Sequence, residues 1–448
     1  MTTTTDPFVQ RLTKLRQAGE QVLLTEVHRE HVTARVRGGH LEGIDQGHEH
    51  HQAVRVLSGG RLGYQGSRTA DWDALLDGAR AGARGAELDG FVLSALGQGA
   101  ASDASSEDSV RDPVPADLAH MALAMGRALS GEAPEVVPQA QVQWMRQWTR
   151  LVDGDGVERR WMRTEGRAAL SGRVVRDGDF MTVGTNRGQA AALPDPQSLL
   201  DHVRTRLAWG QRIVSLDADV LPIVFMPPVG FSLLAPLLAR LSAPAVAAKT
   251  SPWSDALDTR VANAELSLVS DPGIADGPRS VPWDDEGTAT RRVPLIDRGM
   301  LRHWILDRRT AHQLGQSALG LGFSGELGSP PTPRPSNVTV NAGSTPWADL
   351  VQSHPRLLIL EGWVGGRPVN PLRGEMAGTA TALYLVDHGA VVGRVKNVVV
   401  SVNALEAWGS RLSRVGDERH WVGGGMMQLA PAFLPPILVQ DVAVAAKS

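Results

Sequence analysis

The feature that most constrains this chain is a set of short turn signals, each lying between two runs of alternating or apolar residues. Ser58-Gly59-Gly60 follows Val54-Arg55-Val56 and leads into Arg61–Tyr64. Asp153-Gly154-Asp155-Gly156 joins Val142–Val152 to Trp161–Val175. Asp297-Arg298-Gly299 separates Val293–Ile296 from Leu301–Leu306, and Asp387-His388-Gly389 separates Leu383–Val386 from Val391–Val395. Glycine reaches positive φ without steric cost, as tight hairpin loops require, so these signals predict antiparallel strand pairs.

The rest of the pattern adds helices without regular alternation. Val32, Ala34 and Val36 face one way on a strand, while Thr33, Arg35 and Arg37 face the other. Helical spacing predicts a first helix over Pro7–Ala18 and a second, capped by Asp71, carrying Leu75, Leu76, Ala79 and Ala83. A third carries Leu118, Met121, Met125 and Leu129 up to Gly131, and a fourth starts near Pro196 and carries Leu199, Leu200, Val203 and Leu207. Leu221–Met226 reads as a buried strand, with a short apolar helix from about Phe231. Leu357–Leu360, Val398–Val402 and Ile437–Val444 are further strands. Hairpins outnumber crossovers, which favours an α+β fold with a mostly antiparallel, β-rich C-terminal part. The expected organisation is an N-terminal α+β domain over 1–96, a Ser/Asp/Gly/Pro-rich linker over 97–116, a central α+β domain over 117–215 and a C-terminal domain over 216–448.

Several function classes are excluded. The chain has no cysteine, so disulfides, thiolate metal sites and cysteine nucleophiles are absent. A formal net charge of -3 over 448 residues gives no basic field for nucleic acid or an anionic membrane. The apolar stretch Leu221–Leu241 is broken by Pro222, Pro227, Pro228, Pro236 and Arg240, so it is no membrane span. The Thr-rich start, Met1 to Asp6, lacks a signal-peptide pattern, and a cytoplasmic location is expected.

Four stretches occur in an order that resembles the TldD/PmbA family. Pro282-Trp283-Asp284-Asp285-Glu286-Gly287 precedes Thr290-Arg291-Arg292 and the Leu295–Gly299 hairpin. Asn370-Pro371, Arg373-Gly374-Glu375, the Asp387-His388-Gly389 turn and Val395-Lys396-Asn397 form the second stretch. Arg55–Tyr64 and Pro335–Gly343 are the others. The resemblance spans about residues 20–445 and implies peptide-processing chemistry. One kind of family member carries His-Glu-x-x-x-His on the helix after the apolar strand, plus a cysteine near the C-terminus. That set resembles a zinc site with the Glu as general base. The other kind lacks those residues and pairs with the first.

In this chain the matching helix places Ala235 and Arg240 at the ligand positions and Pro236 at the base position. A methyl group offers no lone pair, a guanidinium repels Zn²⁺, and proline takes up no proton. The cysteine region falls near Gly423–Met427, without a thiol. The resemblance therefore implies a non-catalytic, TldE-like subunit with no cofactor of its own. Zinc would sit in a TldD-like partner, in a heterodimer or larger assembly; a homodimer is the other arrangement, and a homo-oligomeric peptide-binding protein with no catalytic partner is an alternative function. The substrate would be an extended peptide, bound by strand addition at an edge such as Leu357–Leu360.

Two other clusters compete. His48, His50 and His51 could hold a metal with a third ligand from His28, His31 or His40, which would make the chain a free-standing metal-dependent hydrolase. On a strand, however, His48 and His50 share one face and His51 the other. Asp284, Asp285 and Glu286 crowd three carboxylates into one turn. The expectation there is architectural, with the acids accepting backbone N–H groups and pairing with Arg291 or Arg292.

Overall fold

The computed structural model describes residues 17–69, 71–88, 96, 112–132, 135–176, 179–216, 219–368, 370–422 and 430–446. Residues 7–16 of the Pro7–Ala18 helix, most of the 97–116 segment and Gly423–Met427 lie outside the described residues.

Six strands build the first sheet: β1 (Gln21–Arg37), β2 (His40–Ser58), β3 (Arg61–Ser67), β4 (Val136–Asp153), β5 (Glu158–Arg176) and β6 (Asp179–Ala190). Their order is β3-β2-β1-β4-β5-β6, all antiparallel. Ser58-Gly59-Gly60 and the Asp153–Gly156 turn close hairpins here as expected. Asp153 fastens its turn by accepting the Asp155 and Val157 N–H groups at 3.1 and 2.8 Å. The 1–96 and 117–215 segments share this sheet, because β1 pairs β4 from Leu23↔Asp153 to Arg37↔Gln139.

One face of the sheet carries helices. Trp72–Gly85, capped by Asp71, buries Leu75, Leu76 and Ala79 against Val22, Leu24, Val54 and Val56. Pro115–Glu132 and Pro196–Trp209 cover Ala34, Val36, Val142, Ala168 and Leu170. The even-numbered residues of β1 supply that face, as strand parity requires. On the opposite face Leu23, Leu151 and Trp161 pack with Leu96, Val281 and Phe323, joining this lobe to the C-terminal lobe.

The C-terminal lobe starts with β7 (Val220–Phe225) and the helix Pro227–Leu241. Two prolines in its first turn start this helix four residues earlier than the apolar spacing suggests. β8 (Leu268–Ser270), β9 (Val293–Asp297) and β10 (Met300–Leu301) follow, then the small pair β11 (Gly322–Ser324) and β12 (Pro331–Pro333), and β13 (Val338–Val340). The remaining strands are β14 (Arg356–Val364), β15 (Glu375–Asp387), β16 (Ala390–Arg394), β17 (Val398–Asn403), β18 (Leu412–Val415), β19 (His420–Val422), β20 (Ala432–Leu434) and β21 (Ile437–Ala446). One sheet runs β10-β9-β8-β13-β20-β19. In the other, β14-β7-β21-β17-β15 closes on itself, because β15 also pairs β14. This corrects the expectation of a peptide edge at Leu357–Leu360. Those residues pair with β15 on one side, and three of them with β7 on the other, so their backbone groups are taken.

Candidate functional site

The Pro227–Leu241 helix crosses the main core and buries eleven of its residues. Its amphipathicity is weak because nearly every side packs against the lobe, which also overrides the cost of Pro236 in mid-helix. Ala235 is part-exposed and Pro236 is buried. Arg240 Nε and Nη2 donate to the Leu372 carbonyl at 2.9 and 2.6 Å, and its guanidinium lies 5.5 Å from the centre of the Trp253 ring. Asn370 presents that carbonyl, since its Oδ1 accepts the Leu372 N–H at 2.9 Å. Glu375 is exposed at the start of β15. A methyl, a proline ring and a cation bound to a carbonyl do not form a zinc donor set.

The acidic turn is an inter-lobe latch. Asp284 Oδ1 accepts the Glu286 and Thr288 N–H groups at 3.0 and 2.8 Å, and Oδ2 accepts from Gly322 at 2.9 Å. Asp285 Oδ2 accepts from Ser324 at 2.7 Å, and Glu286 Oε2 accepts the Arg308 N–H at 2.7 Å. Gly287, at φ 75°, closes the turn, and a Cβ there would strike Leu96. The arginine partner is not the expected one. Arg55 of β2 lies 3.6 Å from Glu286 and donates to the Asp285 carbonyl at 2.6 Å. Arg291 is exposed, and Arg292 reaches Asp271 instead, at 3.5 Å. Burial and the nearby Glu286 push Asp284 up to about 8, and burial raises Glu286 despite Arg55.

The structure separates the predicted histidine cluster. His28 lies opposite His50 across the β1–β2 ladder, with rings stacked at 4.2 Å. His50 Nε2 and His28 Nε2 lie 3.0 and 3.5 Å from Glu26 Oε1, and the three potential ligand atoms fall within 4.8 Å of one another. Glu26 also accepts from Gln52 at 3.3 Å and faces Arg150 at 3.4 Å, so the group already forms a satisfied hydrogen-bond cluster. His48 approaches Glu30 at 3.4 Å, and His31 approaches Asp45 at 3.6 Å. His40 is exposed at the β1–β2 turn. His51 points to the other face, against Gly66 and Gly328. His48, His50 and His51 therefore do not converge on one ion.

An enclosed polar site lies elsewhere. A cavity of about 450 Å³ opens at the seam of the two lobes, beside the start of the Pro227–Leu241 helix. Gly184–Arg187 of β6, His420 and Val422 of β19, Phe231 and Trp347 form its walls. On its floor Glu361, at the end of the buried part of β14, meets two residues one helical turn apart. Arg206 Nε lies 2.6 Å from Glu361 Oε2, and His202 Nε2 lies 2.5 Å from Oε1. Burial pushes Glu361 up, but His202 and Arg206 outweigh it, and the carboxyl ends below its usual range. Burial, with Arg187, His202 and Arg206 nearby, lowers His420 to about 4, so its imidazole is neutral at physiological pH. Sequence reasoning missed this set. The one available signal was the His202–Arg206 spacing of four on a helix whose other face is apolar.

β6 is the last strand of the first sheet and β19 the last of the second, and they pack against each other beside this cavity. The site is thus flanked by two strands that, among the described residues, end their sheets, an arrangement suited to an extended backbone.

A six-stranded antiparallel sheet joined by an acidic latch to a lobe with a closed strand ring defines a two-lobed α+β protein. Residues 218–446 match the profile of the PmbA/TldA metallopeptidase C-terminal domain, and residues 25–86 match that of domain 1 of the same family. The chain belongs to the TldD/PmbA metallopeptidase family. It is 26% identical over 169 residues to a metalloprotease TldD homolog from Buchnera aphidicola, covering 38% of this chain and 35% of that protein. It is 28% identical over 99 residues to metalloprotease PmbA from Escherichia coli O157:H7, covering 22% of each. These matches thus span well under half the length of the curated relatives. The fold is similar to that of TldE from Thermococcus kodakarensis, with a TM-score of 0.85 at 17% identity over 98% of this chain and 99% of that one. It is also similar to a Thermotoga maritima protein described as a modulator of a DNA gyrase, with a TM-score of 0.82 at 17% identity over 98% and 99% of the two chains. Among the described residues, no helix is long and apolar enough to cross a membrane.

Proposed function

We propose that this chain is a non-catalytic, TldE-like subunit that binds an extended peptide beside a zinc-bearing, TldD-like relative in the cytoplasm. The observation that carries the reading is the state of the helix after β7. Its would-be ligand positions hold Ala235 and Arg240, and Arg240 is engaged with the Leu372 carbonyl and Trp253. Proteolysis or peptide maturation would then depend on zinc in the partner, in a heterodimer or larger assembly, with a homodimer as the other arrangement. The peptide would lie as an added strand along β6 or β19, with side chains reaching Phe231, Trp347 and the Glu361–Arg206 pair. Nothing in the charge of the chain favours DNA.

The test is native mass spectrometry of the chain, purified untagged from its own cells, with elemental analysis of the same sample. The expected result is a complex with a zinc-containing relative, and a separated chain without stoichiometric zinc. A lone monomer in an extract that contains the relative would sink the proposal. So would about one tightly held zinc on the separated chain.

A further inference from the structure

A second cavity lies apart from the cleft, on the helix-free face of the first sheet. It measures about 330 Å³ and is enclosed by β1, β2, β4 and β5 on one side and by the segment around Asp285 and Phe323–Pro331 on the other. Arg29, Arg163 and Arg279 also line a neighbouring cavity of about 340 Å³, so the two share a wall of guanidinium groups.

Most arginines in this wall have a carboxylate. Arg55 faces Glu286 at 3.6 Å, Arg29 faces Glu49 at 3.4 Å, and Arg167 faces Glu165 at 2.6 Å. Two do not. Among the described residues no carboxylate oxygen lies within 4.0 Å of Arg163 or Arg279. Arg163 donates only to neutral acceptors, the Pro278 carbonyl at 3.2 Å and Gln147 Oε1 at 3.1 Å. The Arg279 backbone is pinned by its N–H bond to Asn337 Oδ1 at 2.8 Å, while its buried Nη1 has no acceptor.

Asp285 faces both groups at longer range and is itself held by the Ser324 N–H. Glu326 sits exposed at the rim. Glu165 also faces both guanidinium groups, but it is paired with Arg167 at 2.6 Å. The two are thus left with Asp285 to share and a surplus positive charge in a partly desolvated space, where an unpaired charge is costly. Burial draws Arg163 down to about 10, with Arg279 and Arg29 adding to the effect, and it stays protonated at neutral pH.

We propose that Arg163 and Arg279 form a binding site for a single oxyanion, a carboxylate or a phosphate group, at the seam between the lobes. The planar guanidinium fork fits two oxygens of either group. Arg163 belongs to β5 and Arg279 to the C-terminal lobe, so the ligand ties the lobes together beside the latch, whose Arg55 and Asp285 line the same cavity. The site does not depend on the reading of the cleft.

The test is calorimetric titration of the full chain with three probes: inorganic phosphate, a short peptide with a free C-terminal carboxylate, and the same peptide amidated. At least one oxyanion is expected to bind with a stoichiometry of about one and to raise the melting temperature. Binding of the carboxylate peptide but not of its amide assigns the carboxylate as the source. Binding of phosphate alone assigns phosphate. Arg279→Gln should weaken binding tenfold or more without lowering the ligand-free melting temperature, because among the described residues its guanidinium has no partner to lose and its removal relieves an unpaired charge. Arg163→Lys keeps the charge but loses the fork, and should weaken binding as well. Failure of all probes to bind, or undiminished binding by both variants, overturns the proposal.

Discussion

His420 shows how a single residue reports on the cleft. Its half-buried imidazole lies near Arg187, His202 and Arg206, and its pKa falls to about 4 from an ordinary 6.5, mainly by desolvation. Between these values the unfolded chain takes up a proton that the folded chain refuses. Stability attributable to His420 is therefore full above pH 6.5 and is lost as the pH falls toward 4, on the order of 3 kcal/mol at most. Replacing it by glutamine should flatten the melting-temperature profile over that window relative to the parent, and equal slopes would contradict the assignment. Little of this was legible in the sequence. Glu361, His202, Arg206 and His420 come from three separated elements, and beyond the His202–Arg206 spacing of four no local pattern links them. That Ala235, Pro236 and Arg240 offer no zinc donor was legible, because it depends only on side-chain chemistry. What the sequence could not show is that Arg240 has a structural role, capping the turn that Asn370 builds.

Between elements, the latch is the feature with the largest energetic leverage. Arg55 is 4% exposed and Glu286 5%, and the pair joins β2 to the turn before β9. Removing one partner of such a pair leaves a buried charge and costs about 3–5 kcal/mol. Arg55→Leu should therefore lower the unfolding free energy measured by denaturant titration and expose the 280–290 segment to protease. Arg55 holds the Glu286 pKa down, so without it the carboxyl protonates more readily. The loss should be smaller at pH 5 than at pH 8, and Arg55→Leu with Glu286→Gln should recover part of it. A loss independent of pH would show that the arginine acts by packing alone. The turn itself could be read from sequence as an architectural carboxylate cluster, since the Asp284 bonds to Glu286 and Thr288 are local. Its partner could not, because Arg55 lies 230 residues away from Asp285. The same division holds for the strands. The hairpins at Ser58–Gly60, Asp297–Gly299 and Asp387–Gly389 follow from glycine at positive φ, whereas the β1–β4 ladder and the closing β14–β15 pair join residues that no short window contains.

For the molecule as a whole, the proposal of strand addition makes a geometric demand on β6. In an antiparallel ladder the N–H and C=O of one residue point to one neighbour, and those of the next point the other way. Thr185 pairs with Leu170 and Asn186 with Ala169 on β5, so one of these two residues directs its N–H into the sheet and the other toward the free edge beside the cleft. Proline removes the N–H and is tolerated at an edge only where that group faces outward. Thr185→Pro and Asn186→Pro should thus behave oppositely. One should lower the melting temperature by several degrees. The other should keep the fold and lose at least tenfold in affinity for an extended peptide, measured by fluorescence anisotropy on the full chain. If both variants fold and bind peptide like the parent, β6 is not the docking edge, and the same pair of substitutions moves to β19, at His420 and Trp421. There the outward N–H lies on the opposite wall of the same cavity, so a second failure would remove strand addition at this cleft while leaving the degenerate metal position, and the partner-subunit reading built on it, standing.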